Sequence, residues 1–410
     1  MSKRAGLDYA ETRMSPKGLL FITLFNSILG LSVLFPILAP LGRELGLSEL
    51  QVGSLSASYA LMQVLVSPSW GRLSERIGRK RVLLTGILGF GVSFLAFALI
   101  ADLGGRAHWP TPILFACLLG ARLVGGGFSS ATLPTAQAYM ADLTGRHDRT
   151  AGMAVIGAAF GLGVIFGPLI GAGFSLVSLL AAVYFSSSVA FVNAAFVWFF
   201  LPESKRLLAR EPPRATHEVA RSVWPLLAMG FTLSLASVAM EQTISFYYQD
   251  RLHLSNRDTP RSVGMALGIY GLVAVFNQGY LVRRFKWPPL RLLVIGMPIA
   301  LVGYIALIFA HGFAALTLAL AAQAFGQSLA VPGVTAGMSL GVSEDDQGVV
   351  AGLNSSALGV GRMLGPLAGT GLYEIRAEYP YLLSSVLLVL VMFSLFANAG
   401  LRRSLTSNAA

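Results

Sequence analysis

The sequence predicts an all-α polytopic membrane protein of twelve transmembrane helices, and three observations carry that expectation. Only 12% of its 410 residues are charged and 55% are apolar, with a mean hydropathy of +0.68; soluble domains carry about 25% charged residues. Apolar runs long enough to cross about 30 Å of hydrocarbon recur along the chain with short polar breaks. Glycine contributes 45 residues, and helices that pack in lipid use small residues to approach one another closely.

In order, the spans fall at 18–41, 51–72, 82–101, 112–140, 151–174, 177–201, 222–247, 262–282, 291–310, 313–338, 348–372 and 379–400. The break between the ninth and tenth, at His311 and Gly312, is the weakest, and reading through it would leave eleven. No cleavage-type site precedes the first span, so it is expected to direct insertion itself. With the N-terminus inside, 22 of the 30 Lys and Arg residues fall in cytoplasmic segments and six in outer loops, leaving Arg122 and Arg362 within helices. Both termini are therefore expected in the cytoplasm. That asymmetry accounts for the net charge of +11 without a nucleic-acid partner.

The longest interior polar stretch, Pro202 to Arg221, is rich in proline and charge and reads as a cytoplasmic linker. It divides the chain into six-helix bundles at 1–201 and 222–410, joined by 202–221. The halves match at an offset of 198: GLGVIFGPLIGAG (Gly161–Gly173) lies over GVGRMLGPLAGTG (Gly359–Gly371), and Pro134 over Pro332. Parallel repeats of this kind are how many transporters build alternating access. The row Gly163, Gly167, Gly171 allows close helix approach, and Pro168 removes one backbone donor from the fifth span, predicting a bend there. Tight packing and gating explain this row equally well.

The loop GRLSERIGRKRVLL (Gly71–Leu84) gathers Arg72, Arg76, Arg79, Lys80 and Arg81 around one carboxylate, Glu75, with Gly71 and Gly78 suggesting a tight turn. Such a cluster can latch the bundles in one state, with Asp142 as an electrostatic partner, or simply satisfy topology. These residues resemble the major facilitator superfamily, and within it the twelve-span drug:proton antiporters. The loop is similar to the family's signature between the second and third spans, with Glu75 where aspartate is usual. RLVGGG, containing Arg122, resembles the buried-arginine motif of the fourth span, which implies a part in proton coupling. Gly167-Pro168-x-x-Gly171 resembles the signature that marks exporters, with Ala172 where a second glycine is usual. The resemblance implies a major facilitator fold, with gating at Gly71, Glu75, Arg76, Gly78, Arg79, Lys80, Asp142, Gly167, Pro168 and Gly171.

Charges at the bilayer centre cost about 2.5–3.5 kcal/mol on insertion scales and mark function. Glu241 is the one acidic residue placed well inside a span, and desolvation lets such a carboxylate exchange protons near neutrality. It is the leading proton carrier, with Arg122 and Arg362 as coupling partners and a Glu241–Arg362 pair as one arrangement. Asn26, Tyr59, Gln63, Gln137, Gln242, Tyr270, Asn277, Gln323, Gln327 and Asn354 are candidate substrate ligands, each equally able to serve as an interhelical hydrogen bond.

These features point to proton-coupled export of hydrophobic or amphipathic small molecules, acting as a monomer in the bacterial inner membrane with lipid, substrate and protons as its partners. A symporter, or an exporter of a metabolite, siderophore or lipid, is the alternative. Isolated polar residues rather than a stripe argue against a channel, and no Ser/His/Asp or His/carboxylate cluster supports an enzyme. A single cysteine, Cys117, and five scattered histidines leave no metal site or cofactor to expect. With no Walker A loop, ATP is not the expected energy source.

Overall fold

The computed structural model describes residues 15–144, 149–204, 216–343 and 346–406. Among them every regular element is helical. The first six predicted spans correspond to α1 (Pro16–Ser32) with α2 (Leu38–Glu44), α3 (Glu49–Ile77), α4 (Arg79–Arg106), α5 (Thr111–Ser129) with α6 (Thr132–Leu143), α7 (Arg149–Ser175) and α8 (Leu179–Phe200). After the linker come α9 (Thr216–Arg251), α10 (Thr259–Phe276), a π-helical turn (Asn277–Leu281) leading into α11 (Val282–Phe285), α12 (Pro289–Phe309), α13 (Phe313–Leu340), α14 (Gln347–Ile375), α15 (Tyr379–Ala397) and a short α16 (Ala399–Thr406).

Local chemistry explains the helix ends. Ser15 and Ser178 accept from the amides of Gly18 and Ala181, and Ser48 with Gln51 forms a capping box at the start of α3. Two predicted spans are interrupted. Residues 33–37 form a turn inside the predicted 18–41 span, at Pro36, which has no amide and disfavours helix in the residue before it. The 112–140 span breaks at Ser130–Ala131, where Pro134 cannot satisfy the carbonyl four residues back. Pro168 and Pro332, by contrast, lie inside continuous helices. Positive φ at Gly312 turns the chain between α12 and α13, separating the ninth and tenth spans.

Nine helices among the described residues are long and apolar enough to cross a membrane, counting α5–α6 and α10–α11 each as one. Of the rest, α1 has 17 residues, while α3 and α14, at 29 each, carry no comparably apolar stretch. Both still pack on other helices, α3 against α14 and α5, and α14 against α9, while Leu61, Leu65, Leu364 and Leu367 stay exposed. Outward faces such as Val192, Phe199, Phe309 and Phe393 present large apolar side chains, as a multi-pass membrane protein requires.

The glycine repeat sets two equivalent helix contacts. A Cβ on Gly163 would lie 2.8 Å from Ile28 of α1, one on Gly167 would meet Ser32, and one on Gly171 would meet the backbone of Val33. At the repeat positions, Gly361 faces Ser234, Gly365 faces Val238, and Gly369 faces the backbone of Ala239, all on α9. A hydroxyl also ties each pair: Ser32 Oγ donates to the Gly163 carbonyl at 2.8 Å and Ser234 Oγ to the Leu358 carbonyl at 2.9 Å, though not at matching repeat positions.

We predict that Gly369→Ala, whose methyl would sit 2.7 Å from the Ala239 carbonyl oxygen, destabilises the protein by about 1–3 kcal/mol in detergent melts. Gly173→Ala, which meets nothing within 4 Å, is expected to lie within about 0.5 kcal/mol of wild type or to gain stability.

Candidate functional site

Close approach of backbones creates the site. In α5, a Cβ on Gly125 would collide with Ser93 of α4, and one on Gly126 with the Tyr59 carbonyl of α3. One turn earlier, Arg122 is thereby pressed between those helices. It is 4% exposed, its Nε donates to the Leu55 carbonyl at 3.3 Å, and its guanidinium lies 4.5 Å from the centre of the Tyr59 ring. The rings of Phe94 and Phe97 stand 5.5 and 6.0 Å away. Aromatic faces thus solvate the flat cation, while Nη1 has no hydrogen-bond partner among the described residues.

Across from it, α9 supplies Glu241 and α14 supplies Arg362. Ser237, one turn before Glu241, donates its hydroxyl to Glu241 Oε1 at 3.0 Å, and Tyr270 of α10 also reaches Ser237. Arg122, Glu241, Arg362, Tyr59, Gln63 and Gln242 all line one cavity of about 120 Å³. The sequence expectation of a Glu241–Arg362 pair is corrected in one respect. The two line the same cavity and attract each other through space but form no contact ion pair, and Arg362 is exposed.

The other candidate polar residues lie elsewhere and tie helices together. Asn277 donates to the Phe325 carbonyl and Ser328 Oγ, Gln323 to the Tyr304 hydroxyl, and Gln327 to the Leu233 carbonyl. Asn354 reaches Thr335 Oγ1 at 3.4 Å. Asn26 and Gln137 are half-buried and not among the cavity-lining residues.

One end of the cavity is shut by a network that the sequence reading missed. Arg43, in the last turn of α2, bonds Asp250 through both terminal nitrogens, Glu49 at 2.9 Å and the Gln249 amide oxygen at 3.1 Å. Tyr373 donates to Asp250 at 2.7 Å, the Leu50 amide to Glu374 at 2.9 Å, and Ser245 Oγ to the Pro36 carbonyl at 3.1 Å. Burial opposes charge on Arg43, but hydrogen bonds and charges from Asp250 and Glu49 outweigh it and raise its pKa above the ordinary arginine value. Beside this network, α7 meets α10, with Gly264 and Gly268 against Ala172 and Leu169. Arg43 offered only an outer-loop charge in the sequence, and no local signal joins it to a carboxylate 207 residues away.

At the opposite end, the Gly71–Leu84 segment forms the α3–α4 turn. Gly78 takes φ +105°, and a Cβ there would press into the Glu203 carboxylate at 2.8 Å. Arg79 bonds Asp142 at 3.3 Å and also Ser74, while Asp142 accepts from Ser204. Lys80 donates its amide to Glu203 and its ammonium to the Trp198 carbonyl at 2.7 Å. Two expectations change. Gly71 sits inside α3 with open space around it, not in a turn. Glu75 is exposed on the helix surface, and the acids holding the turn are Asp142 and Glu203. Arg76 is exposed in the last turn of α3.

Helices gathered around a charged, one-end-closed cavity define a membrane transporter fold. The family model of the Major Facilitator Superfamily matches residues 20–320 and 286–408, and the chain belongs to that superfamily. It is similar to multidrug resistance protein 2 of Bacillus subtilis, 26% identical with 90% of this chain and 92% of that protein covered. Quinolone resistance protein NorA of Staphylococcus aureus is 25% identical (88% and 90% covered), and the class C tetracycline resistance protein of Escherichia coli 28% (85% and 87%). Among solved structures it resembles an inward-facing bacterial homologue of the human lysosomal transporter Spinster. That match has a TM-score of 0.73 and 14% identity, covering 96% of this chain and 97% of that one. The human organic anion transporter MFSD10 matches with TM-score 0.65 and 22% identity, covering 92% and 98%.

The Arg43 network yields a prediction about opening. In a Cys117→Ser background, a cysteine introduced by Ser245→Cys is buried at the closed end. Adding Arg43→Ala is expected to raise its alkylation rate about tenfold, the effect of about 1.4 kcal/mol on the closed–open equilibrium. An unchanged rate would show that Arg43 does not hold this end.

Proposed function

We propose that the protein exports amphipathic small molecules in exchange for protons, by alternating access. In this reading two six-helix bundles, 1–201 and 222–410, rock about the cavity, with linker 202–221 and both termini in the cytoplasm. The Arg43 end is then the outer gate, shut here. The turn at Gly78, with Arg79, Lys80 and Asp142, braces the inner end of the first bundle. The protein acts as a monomer in the inner membrane.

The observation that carries this reading is Glu241 among two arginines in a cavity bounded by helices from both sides of the linker. A carboxylate placed there changes the cavity's charge when it takes a proton, and Ser237 can donate to its ionised form. Substrate and proton then bias the same element, which is what coupling requires. Similarity to proteins named for multidrug, quinolone and tetracycline resistance favours export over uptake.

Proteoliposomes with an imposed pH gradient test this on a panel that includes a tetracycline, a quinolone and a lipophilic cation. Wild type is expected to drive substrate against the proton gradient, and Glu241→Gln to reduce that at least about tenfold while retaining exchange of labelled for unlabelled substrate. Gradient-driven transport that survives Glu241→Gln would move the proton elsewhere. Substrate travelling with the proton would replace antiport by symport.

A further inference from the structure

The cavity's charges do not cancel. Its lining holds two guanidinium groups and one carboxylate; Glu241 attracts Arg362 through space, but no acidic side chain among the described residues contacts either arginine. Arg122 spends Nε on a backbone carbonyl and its flat face on aromatic rings, leaving Nη1 buried and unpaired among the described residues. Arg362 forms no hydrogen bond or ion pair with a described residue and is exposed. A buried polar donor without a partner is costly to maintain, and a guanidinium edge matches a carboxylate better than any other common group. Both arginines line one cavity, so a single acidic group entering it can serve both.

We infer that the molecule this cavity takes is a zwitterionic amphiphile, with an acidic group that docks on Arg122 and Arg362 and a protonated amine that faces Glu241. The acidic half follows from two guanidinium groups against one carboxylate in the lining, with Nη1 of Arg122 still open among the described residues. The basic half rests on the proton-exchange reading above. Under that reading substrate and proton must exclude one another, and linkage is reciprocal. An anion beside Arg362 would favour a proton on nearby Glu241, so a purely acidic substrate would move with the proton. An ammonium group competes with the proton for Glu241 and restores exchange. The rest of the lining suits an apolar body: Leu31, Leu34, Phe35, Leu38, Val52 and Val238 supply hydrocarbon. At about 120 Å³ the cavity receives the charged end of a ligand, with the remainder extending toward the opening.

The test is binding to the purified full-length protein by calorimetry, with three compounds built on one naphthalene ring. The first carries a carboxylate and an aminomethyl group, the second has its carboxylate amidated, and the third has its amine acetylated. The zwitterion is expected to bind at least about tenfold more tightly than either derivative. Arg362→Gln should erase its advantage over the amide and spare its advantage over the acetylated compound; Glu241→Gln should do the reverse. Arg362→Lys, which keeps the charge, should retain part of the acid preference and guards against misfolding as the cause. If the amide binds wild type as tightly as the zwitterion, or Arg362→Gln leaves the gap intact, the inference is overturned. No gradient enters this measurement. The expected preferences in a protein that moves no protons would overturn the antiport reading alone. Equal binding of all three compounds, with proton-driven transport intact, would overturn this inference alone.

Discussion

A guanidinium held away from water without an acidic partner is the constraint from which the arrangement of this protein follows. Arg122 is 4% exposed, and an isolated cation in an apolar interior is strongly disfavoured. What makes it tolerable is a shell of weak, directional compensations: one backbone carbonyl, the face of Tyr59, and two phenylalanine rings. Those can reach it only because glycines at 125 and 126 bring α5 against α3 and α4. The run Arg122-Leu-Val-Gly-Gly-Gly is therefore one physical unit, the charge and the means of packing around it.

A second constraint comes from the repeat. Glycines at four-residue spacing let α7 close on α1, and the same glycines 198 residues later let α14 close on α9. Both contacts are backbone against backbone, so they behave as rigid pairs rather than deformable surfaces. Beyond these pairs, α7 also packs on α10, and α14 on α3. The polar network instead joins α2 and α14 to α9, and α3 to α14, at one end of the bundle. Polar seals of this kind can separate and re-form in water, whereas a glycine-tight contact can reopen only by exposing buried backbone and apolar surface.

The sequence made much of this legible, for reasons tied to particular residues. Hydropathy located most spans because lipid-facing helices must be apolar throughout, as in α12 and α15. It is weakest for α3 and α14, which have no stretch as apolar as the other long helices; of the two only α14 also carries the glycine repeat, at Gly359–Gly371. Charge in a hydrocarbon setting is rare enough to announce itself, which is why Arg122, Glu241 and Arg362 stood out and why all three line one cavity. The polar amides were less informative. Gln323, Gln327 and Asn277 look no different in sequence from Gln63 and Gln242, yet the first three bridge helices and the last two line the cavity. Arg43 and Asp250 were invisible for another reason: at the ends of spans, single charges are ordinary, and only the fold brings these two together.

In the proton-exchange reading proposed above, the placement of the two charge clusters separates holding from coupling. Arg43 lies outside the cavity lining and meets its carboxylates at the bundle's end, where water can compete for both partners and their net worth is modest. Glu241 lies in the cavity with a single hydroxyl donor, where the surrounding dielectric is low and a change of one proton weighs far more. A gate must open at small cost, so weak polar contacts suit it. A coupling site must register one proton and one ligand decisively, so it belongs where charge is hardest to screen. The sequence meets both demands by leaving its outer charges many partners and its inner ones few.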